Sequence, residues 1–217
     1  MPYATALGDA CLYGGGGFSI KLRFWWHLEW PQKIHQKTKA YLKDDSAKDF
    51  ISINVLEFVT IIINFAASLT AMSTDGHPDD PYPVLLNFAD NMSSVRWTNH
   101  YCKGSMKARA LGMLFCCLLA NCFLGINAQW LAGDLNEIAD KISRTKNPSD
   151  RTDDGSHHRS FDYSLLKQQF PQLKPCRRFL PKREFLLLLW QTILTGRFPD
   201  PQQLIKMRQG GLGKLST

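Results

Sequence analysis

The stretch from Ile53 to Leu69 is apolar on nearly every side and carries a single charged residue, Glu57. An element that is hydrophobic all round must be covered on all sides by other parts of the fold. A buried strand that enters a buried helix would satisfy this pattern, but the length of the segment favours a helix for most of it. The chain must therefore build a layered core around this segment.

The remaining elements are predicted from periodicity and turn residues. Strands are expected over residues 3–12, 18–26, 84–89 and 126–131, and helices over 92–100, 107–122 and 136–142. The Gly14–Gly17 run is interpreted as a tight connection between the first two strands, and residues 31–49 as an exposed loop with local helix. This order of elements predicts an α/β fold with a mixed sheet.

Composition sets the class and the domain organisation. The chain has 217 residues, of which 44% are hydrophobic and 21% charged, values that exclude wholesale disorder and collagen-like or coiled-coil architectures. Residues 159–217 contain 11 Lys and Arg against 3 Asp and Glu, whereas the rest of the chain is nearly neutral. We therefore expect a folded body over residues 1–145, a polar linker over 146–160 and a basic helical segment over 161–217, with a polyanionic partner.

The compartment is predicted from the cysteines and from the absence of a leader pattern. The six cysteines show no spacing typical of a secreted disulfide framework, and the first residues lack the basic start and apolar core of a signal peptide. An intracellular location, in the cytoplasm or the nucleus, is expected. Residues 110–133 contain no charge but include three amide side chains, so a buried helix followed by a buried strand is favoured over a membrane span.

Four acidic residues lie in apolar surroundings: Asp9, Glu57, Asp90 and Asp140. A carboxylate buried alone is costly, so each needs a partner or a cation. Asp90 follows a buried strand, and ligands of open α/β sheets bind beyond the carboxyl ends of strands. Any one of these residues taken alone is more simply a cap or turn residue. If the four converge, their oxygen atoms suit a pair of hard divalent cations that contact phosphate.

The ordered set of motifs around these carboxylates resembles the ribonuclease H domain of retrotransposon polyproteins, over residues 3–144. The matching segments are Gly8-Asp9-Ala10 with Gly14–Ser19, Ile53–Glu57, Leu86–Asn91 and Asn136–Arg144, the last with the pattern Asn-x-x-Ala-Asp-x-x-Ser-Arg. The resemblance implies a mixed five-stranded sheet flanked by helices. It also implies that Asp9, Glu57, Asp90 and Asp140 are both the catalytic residues and the ligands of two Mg²⁺ ions, with Mn²⁺ as a substitute. Many members of the family have a histidine shortly before the last aspartate, and here Leu131–Leu135 contains none.

The basic tail resembles the segment between ribonuclease H and recombinase in tyrosine-recombinase retrotransposons of the DIRS type. The matching residues are Phe170–Phe179, Pro181, Trp190, Leu194–Gly196 and Gly210–Thr217. The resemblance implies reverse transcriptase and recombinase modules as partners in a longer polyprotein, and an RNA–DNA hybrid as the bound nucleic acid. The candidate nucleic-acid contacts are Lys21, Arg23, Asn91, Asn136, Arg177 and Arg178.

These expectations define two main functional hypotheses, and a two-span membrane protein is a third possibility. The first is a metal-dependent endonuclease that hydrolyses the RNA strand of RNA–DNA hybrids, with water as the nucleophile. The second is a catalytically inactive remnant that keeps the fold and binds the hybrid. Trp25, Trp26 and Trp30 fit either packing against the sheet or the border of a nucleic-acid groove, and packing is favoured.

Overall fold

The structure is a computed structural model. It describes residues 1–44, 49–76, 82–100, 105–120, 122–144 and 163–216, so the predicted linker over 146–160 lies outside the described residues. The strands are β1 (Ala4–Ala10), β2 (Gly14–Ser19), β3 (Phe24–Glu29), β4 (Val84–Ala89), β5 (Gly125–Trp130), β6 (Arg177–Pro181) and β7 (Gly213–Ser216). The helices are α1 (Gln32–Lys43), α2 (Ile53–Asp75), α3 (Met92–His100), α4 (Met106–Leu119), α5 (Glu137–Ser143), α6 (Tyr163–Gln169), α7 (Arg183–Thr195) and α8 (Pro201–Gly210), with 3-10 turns at Gly133–Asn136 and Pro171–Leu173.

The strands form one mixed sheet in the order β5-β4-β1-β2-β3-β6-β7. β2 is antiparallel to both of its neighbours, β1 and β3, whereas β4 and β5 continue from β1 in parallel. Helices flank this sheet, so the predicted α/β class with a ribonuclease H-like arrangement is confirmed. Because β1 and β4 are parallel neighbours, their carboxyl ends lie side by side at one end of the sheet.

The sheet has seven strands rather than the predicted five, because the basic tail contributes β6 and β7. β6 pairs in parallel with β3, and β7 pairs with β6. The tail is therefore not purely helical, and Phe179 and Phe185 are part of the main hydrophobic core. The predicted division into a body over residues 1–145 and a tail over residues 161–217 stays a prediction, although strands of both parts belong to one sheet.

The glycine run is a strand and not a tight connection. Gly14 to Gly17 form most of β2, in register with β1 on one side and β3 on the other. A Cβ at Gly16 would lie 2.4 Å from Ile142 on α5, and one at Gly17 would lie 2.3 Å from Asn64 on α2. Because the glycines project no side chains, α2 and α5 can approach the sheet closely from opposite faces.

The apolar segment is the central helix of the core, as predicted, and it runs for 23 residues as α2. Among the helices that the structure describes, α2 is the one long and apolar enough to span a membrane. However, 89% of its most apolar 18-residue stretch is buried inside the fold, as in the core helix of a water-soluble protein. Residues 110–133, the other stretch without charge, divide between α4 and β5. The three tryptophans Trp25, Trp26 and Trp30 are all buried, as the packing interpretation predicts.

The segment over residues 31–49 contains more helix than expected. α1 occupies Gln32–Lys43, with Ile34 and Thr38 buried against the body. Lys37 and Lys107 both form ion pairs with Asp49, which ties this segment to the start of α4.

Candidate metal centre

Asp9 lies near the carboxyl end of β1, with β2 on one side and β4 on the other. Its side chain is only 4% exposed and accepts a hydrogen bond from the Ser143 hydroxyl on α5. Asp9 pairs across the sheet with Gly16, so no side chain from β2 stands beside it on that face. A rigid central strand therefore fixes this carboxylate between the sheet and α5.

Glu57 is placed by the first turns of α2, where the helix passes the end of β1. One carboxylate oxygen, Oε1, accepts a hydrogen bond from the backbone N–H of Ala10 at 2.9 Å. The other oxygen, Oε2, is buried and has no hydrogen-bond partner among the residues that the structure describes. A buried carboxylate oxygen without a donor is costly, so this atom points to a missing cation or proton.

Asp90 follows β4 and completes the group at the same end of the sheet. The indole N–H of Trp130 donates to its backbone carbonyl at 2.9 Å, which links this residue to β5. Each of Asp9, Glu57 and Asp90 offers one oxygen such that the three atoms lie within 4.8 Å of one another. The structure thus brings together three of the four predicted carboxylates, and this acidic triad could hold a metal ion.

Burial raises the pKa of all three carboxyl groups, and the charges of neighbouring carboxylates add to the rise. Burial is the main cause at Asp9, where the pKa rises to about 6, with the Ser143 hydrogen bond opposing the rise and the charges of Asp90 and Asp140 adding to it. The pKa of Glu57 is raised well above its usual value by burial and then by Asp9 and Asp90. Burial also raises the pKa of Asp90. A bound cation would relieve this repulsion.

Asp140 is close to the triad but is not one of the three gathered carboxylates. It lies on α5, and its charge contributes to the raised pKa values of Asp9 and Asp90. Its Oδ1 atom accepts a hydrogen bond from Arg144 Nε at 2.6 Å, one helical turn further on, and its side chain is 37% exposed. The fourth predicted ligand therefore lies at the rim of the site, paired with an arginine.

Ser143 is the site residue that the sequence interpretation did not single out. It is buried on the last turn of α5, and its hydroxyl contacts both Asp9 Oδ2 and the backbone carbonyl of Asp140. The pattern Asn-x-x-Ala-Asp-x-x-Ser-Arg contains this residue, three positions after Asp140. The spacing places both on one side of a helix, but only the packing of α5 against β1 gives Ser143 its contact with Asp9.

The two predicted asparagine contacts hold the site together in the structure. Asn91 caps α3, since its Oδ1 accepts from the N–H groups of Ser93 and Ser94 and its amide donates to Asn54 at 2.8 Å. Asn136 is 1% exposed, and its amide donates to the carbonyl of Gly8 at 3.0 Å. Both therefore position the segments next to Asp90 and Asp9, and contact of either with nucleic acid stays a prediction.

The predicted basic contacts lie away from the triad. Arg23 and Arg177 are at the amino ends of β3 and β6, where the N–H of Arg177 donates to the Arg23 carbonyl, whereas the triad is at the carboxyl ends of β1 and β4. Lys21 lies over the ring of Tyr3 at 4.3 Å, and Arg178 over the ring of Trp25 at 5.5 Å. Arg177 also forms an ion pair with Asp75. These cations form a basic end of the sheet, defined by Lys21, Arg23 and Arg178.

The triad suits a hard cation, because all three of its donors are carboxylate oxygens. The loop that follows β5 closes over it, since a Cβ at Gly133 would lie 3.3 Å from Asp90 Oδ2. Comparisons of the chain with protein-family models, with curated proteins and with solved structures find no match.

Proposed function

We propose that the protein is a metal-dependent endonuclease of the ribonuclease H type, which hydrolyses the RNA strand of RNA–DNA hybrids during reverse transcription of a retrotransposon. The observation that carries this proposal is the acidic triad on β1, α2 and the end of β4 of a ribonuclease H-like sheet. The unpartnered Glu57 Oε2 atom adds support, since it lacks the donor that a buried carboxylate needs.

The proposed cofactor is Mg²⁺, as two ions, with Mn²⁺ as a substitute. Two such ions would activate a water and stabilise the leaving oxygen of the phosphodiester. Asp9, Glu57 and Asp90 would hold them, and Asp140 would join from the rim of the site. The buried positions of Asp9 and Glu57 keep water away from two of the ligands, which strengthens their interaction with a cation.

The nucleic acid would reach the triad across the α5 side of the sheet. The positive charge of Arg144, which directly follows α5, lowers the pKa of both Asp9 and Asp90, and we expect this side chain to contact a phosphate of the bound strand. The basic end of the sheet lies at the amino ends of β3 and β6, opposite the end that carries the triad, and would contact phosphates further along the duplex. The reverse transcriptase and recombinase modules stay proposed partners, from the resemblance alone.

The alternative function is a catalytically inactive domain that binds the hybrid. The ion pair between Asp140 and Arg144 favours it, because the fourth carboxylate is paired with an arginine and is not one of the three whose oxygen atoms lie within 4.8 Å of one another. The two functions predict the same fold and the same affinity for polyanions but differ in turnover.

Cleavage of a labelled RNA–DNA hybrid by the full chain in Mg²⁺ tests the proposal. We expect cutting of the RNA strand, with no cutting of single-stranded RNA or of duplex DNA. Asp9→Asn should reduce the rate by at least about a hundredfold, because it removes a charged ligand. Glu184→Gln, which neutralises an exposed carboxylate on α7, is the matched control and should cut at the wild-type rate. Hybrid binding without cutting would instead support the inactive domain.

A further inference from the structure

We propose that Ser143 is a positioning residue that holds Asp9 in the orientation needed for metal binding. This inference deepens the proposed function and rests on the metal site proposed there. Its basis is the contact between the Ser143 hydroxyl and Asp9 Oδ2, both of which are buried. Because the hydroxyl donates to Oδ2, it restricts the orientation in which this carboxylate meets Glu57 and Asp90.

The Ser143 hydroxyl is a donor at Asp9, since an ionised carboxylate only accepts hydrogen bonds. The same hydroxyl also lies 2.9 Å from the backbone carbonyl of Asp140. Its single proton can serve one acceptor at a time, and the charged Asp9 oxygen is the stronger acceptor.

The position of Ser143 is fixed by two side-chain contacts to the last turn of α5 and by the close approach that one glycine of the sheet allows. The thiol of Cys11 donates to the Ser143 carbonyl at 3.2 Å, and His27 Nδ1 lies 2.8 Å from the Ile142 carbonyl. Gly16 allows the close approach, since a Cβ there would lie 2.9 Å from the backbone nitrogen of Ser143. Cys11 directly after β1, Gly16 on β2 and His27 on β3 therefore all help to place the residue that orients Asp9.

A hydrogen-bond partner of a metal-binding carboxylate typically changes metal affinity by about 10- to 100-fold when it is removed. Ser143→Ala should therefore weaken Mn²⁺ binding at least about tenfold, measured as the concentration that gives half of the metal-induced rise in melting temperature of the full chain. In hybrid cleavage, the same variant should need about tenfold more Mn²⁺ for half-maximal rate, while KM for the hybrid stays unchanged. Ser143→Thr keeps the hydroxyl and should restore most of the affinity.

Ser68→Ala is the matched control, because Ser68 is also a buried helical serine whose hydroxyl donates to a backbone carbonyl, that of Asn64. It should leave the Mn²⁺ half-saturation unchanged. Melting in EDTA shows separately whether each variant folds, and Ser143→Thr provides the test if the alanine variant does not.

The outcomes separate this inference from the proposed function. If the wild type binds Mn²⁺ and cuts hybrid, and Ser143→Ala binds Mn²⁺ within twofold of it, the role of Ser143 is overturned and the nuclease stands. If the wild type binds Mn²⁺ without cutting and the alanine variant binds about tenfold more weakly, the role stands and the nuclease is overturned. A wild type that binds no Mn²⁺ overturns both.

Discussion

The Asp140 carboxylate and the Arg144 guanidinium form an ion pair across one turn of α5, with 2.6 Å between Oδ1 and Nε. Both side chains are more than a third exposed, so the pair adds little to the free energy of unfolding. Its importance is electrostatic, because Arg144 lies close enough to lower the pKa values of Asp9 and Asp90. Arg144, which directly follows α5, thus partly neutralises an otherwise acidic site.

Removal of Arg144 should strengthen cation binding. Arg144→Gln takes a positive charge from beside Asp9 and Asp90. We therefore expect the Mn²⁺ concentration at half-saturation to fall about two- to fivefold at low salt, and the difference to shrink as salt is added. The free energy of unfolding should change by less than about 1 kcal/mol. Thermal unfolding at increasing Mn²⁺ concentrations measures the affinity for the cation, and the same unfolding without Mn²⁺ measures the change in stability. Lys141→Gln, which breaks the neighbouring Lys141–Glu137 pair on the same helix, is the control and should have a smaller effect.

Neutralisation of Asp9 should stabilise the metal-free protein at high pH. The folded pKa of Asp9, about 6, is above the unfolded value of 3.8, so its ionisation destabilises the fold above pH 6 and the stability returns as the pH falls toward 3.8. Asp9→Asn should therefore be more stable than wild type by about 2 to 3 kcal/mol near pH 8, and this advantage should disappear near pH 4. Urea unfolding in EDTA at several pH values measures the difference.

The same comparison in saturating Mn²⁺ provides the check on this account. The wild type should gain stability from the cation and Asp9→Asn should gain much less, so their order should reverse. An advantage of Asp9→Asn that is independent of pH would contradict the assignment of a raised pKa to Asp9.

A methyl group at Gly16 should separate α5 from the sheet. The new Cβ would lie 2.4 Å from Ile142 Cγ2 and 2.9 Å from the backbone nitrogen of Ser143, and the backbone contact cannot be relieved by a side-chain rotation. We expect Gly16→Ala to lower the free energy of unfolding by about 2 to 3 kcal/mol and to weaken Mn²⁺ binding, because the helix carries Ser143 and Asp140. Gly125→Ala is the control, since its nearest neighbour would be 3.6 Å away, an ordinary contact.

Charge reversal at the basic end of the sheet should weaken hybrid binding without changing the metal site. Arg23 and Arg178 are both exposed. If each contacts one phosphate, Arg23→Glu or Arg178→Glu should lower the affinity for hybrid and reduce the slope of log affinity against log salt by about 1. Lys39→Glu on α1 changes the same charge on another surface and is the control. Fluorescence anisotropy with a labelled hybrid in EDTA measures the affinity, and equal effects of all three reversals would contradict a local contact.

The predictable part of the fold came from segments whose own residues demand burial. Ile53–Leu69 has no polar face, so it had to be a covered element, and Glu57 within it had to be a buried carboxylate. Residues 84–89 form a short apolar run that ends at Asp90, which placed this carboxylate at the end of a central strand. Sequence alone therefore predicted the α/β class and the three carboxylates of the triad.

The glycine strand and the tail strands could not be predicted in this way. A run of glycines has no side-chain pattern, and Gly14–Gly17 forms a strand because two helices close on it from opposite faces. β6 and β7 lack the alternation of a half-buried strand and become strands by pairing with β3 and with each other. In both cases the hydrogen bonds and contacts that decide the structure come from residues far away in the sequence.

The sequence by itself determined that Glu57 must be buried, since an acidic residue inside a segment that is apolar on every side has no route to solvent. Only the tertiary structure decided how the four candidate carboxylates are arranged. It brought Asp9, Glu57 and Asp90 together, left Asp140 at the rim with Arg144, and placed the Ser143 hydroxyl on Asp9. Burial is a property that a local pattern of residues reveals, whereas the distance between two side chains depends on how β1, α2 and α5 pack, and no segment encodes that packing alone.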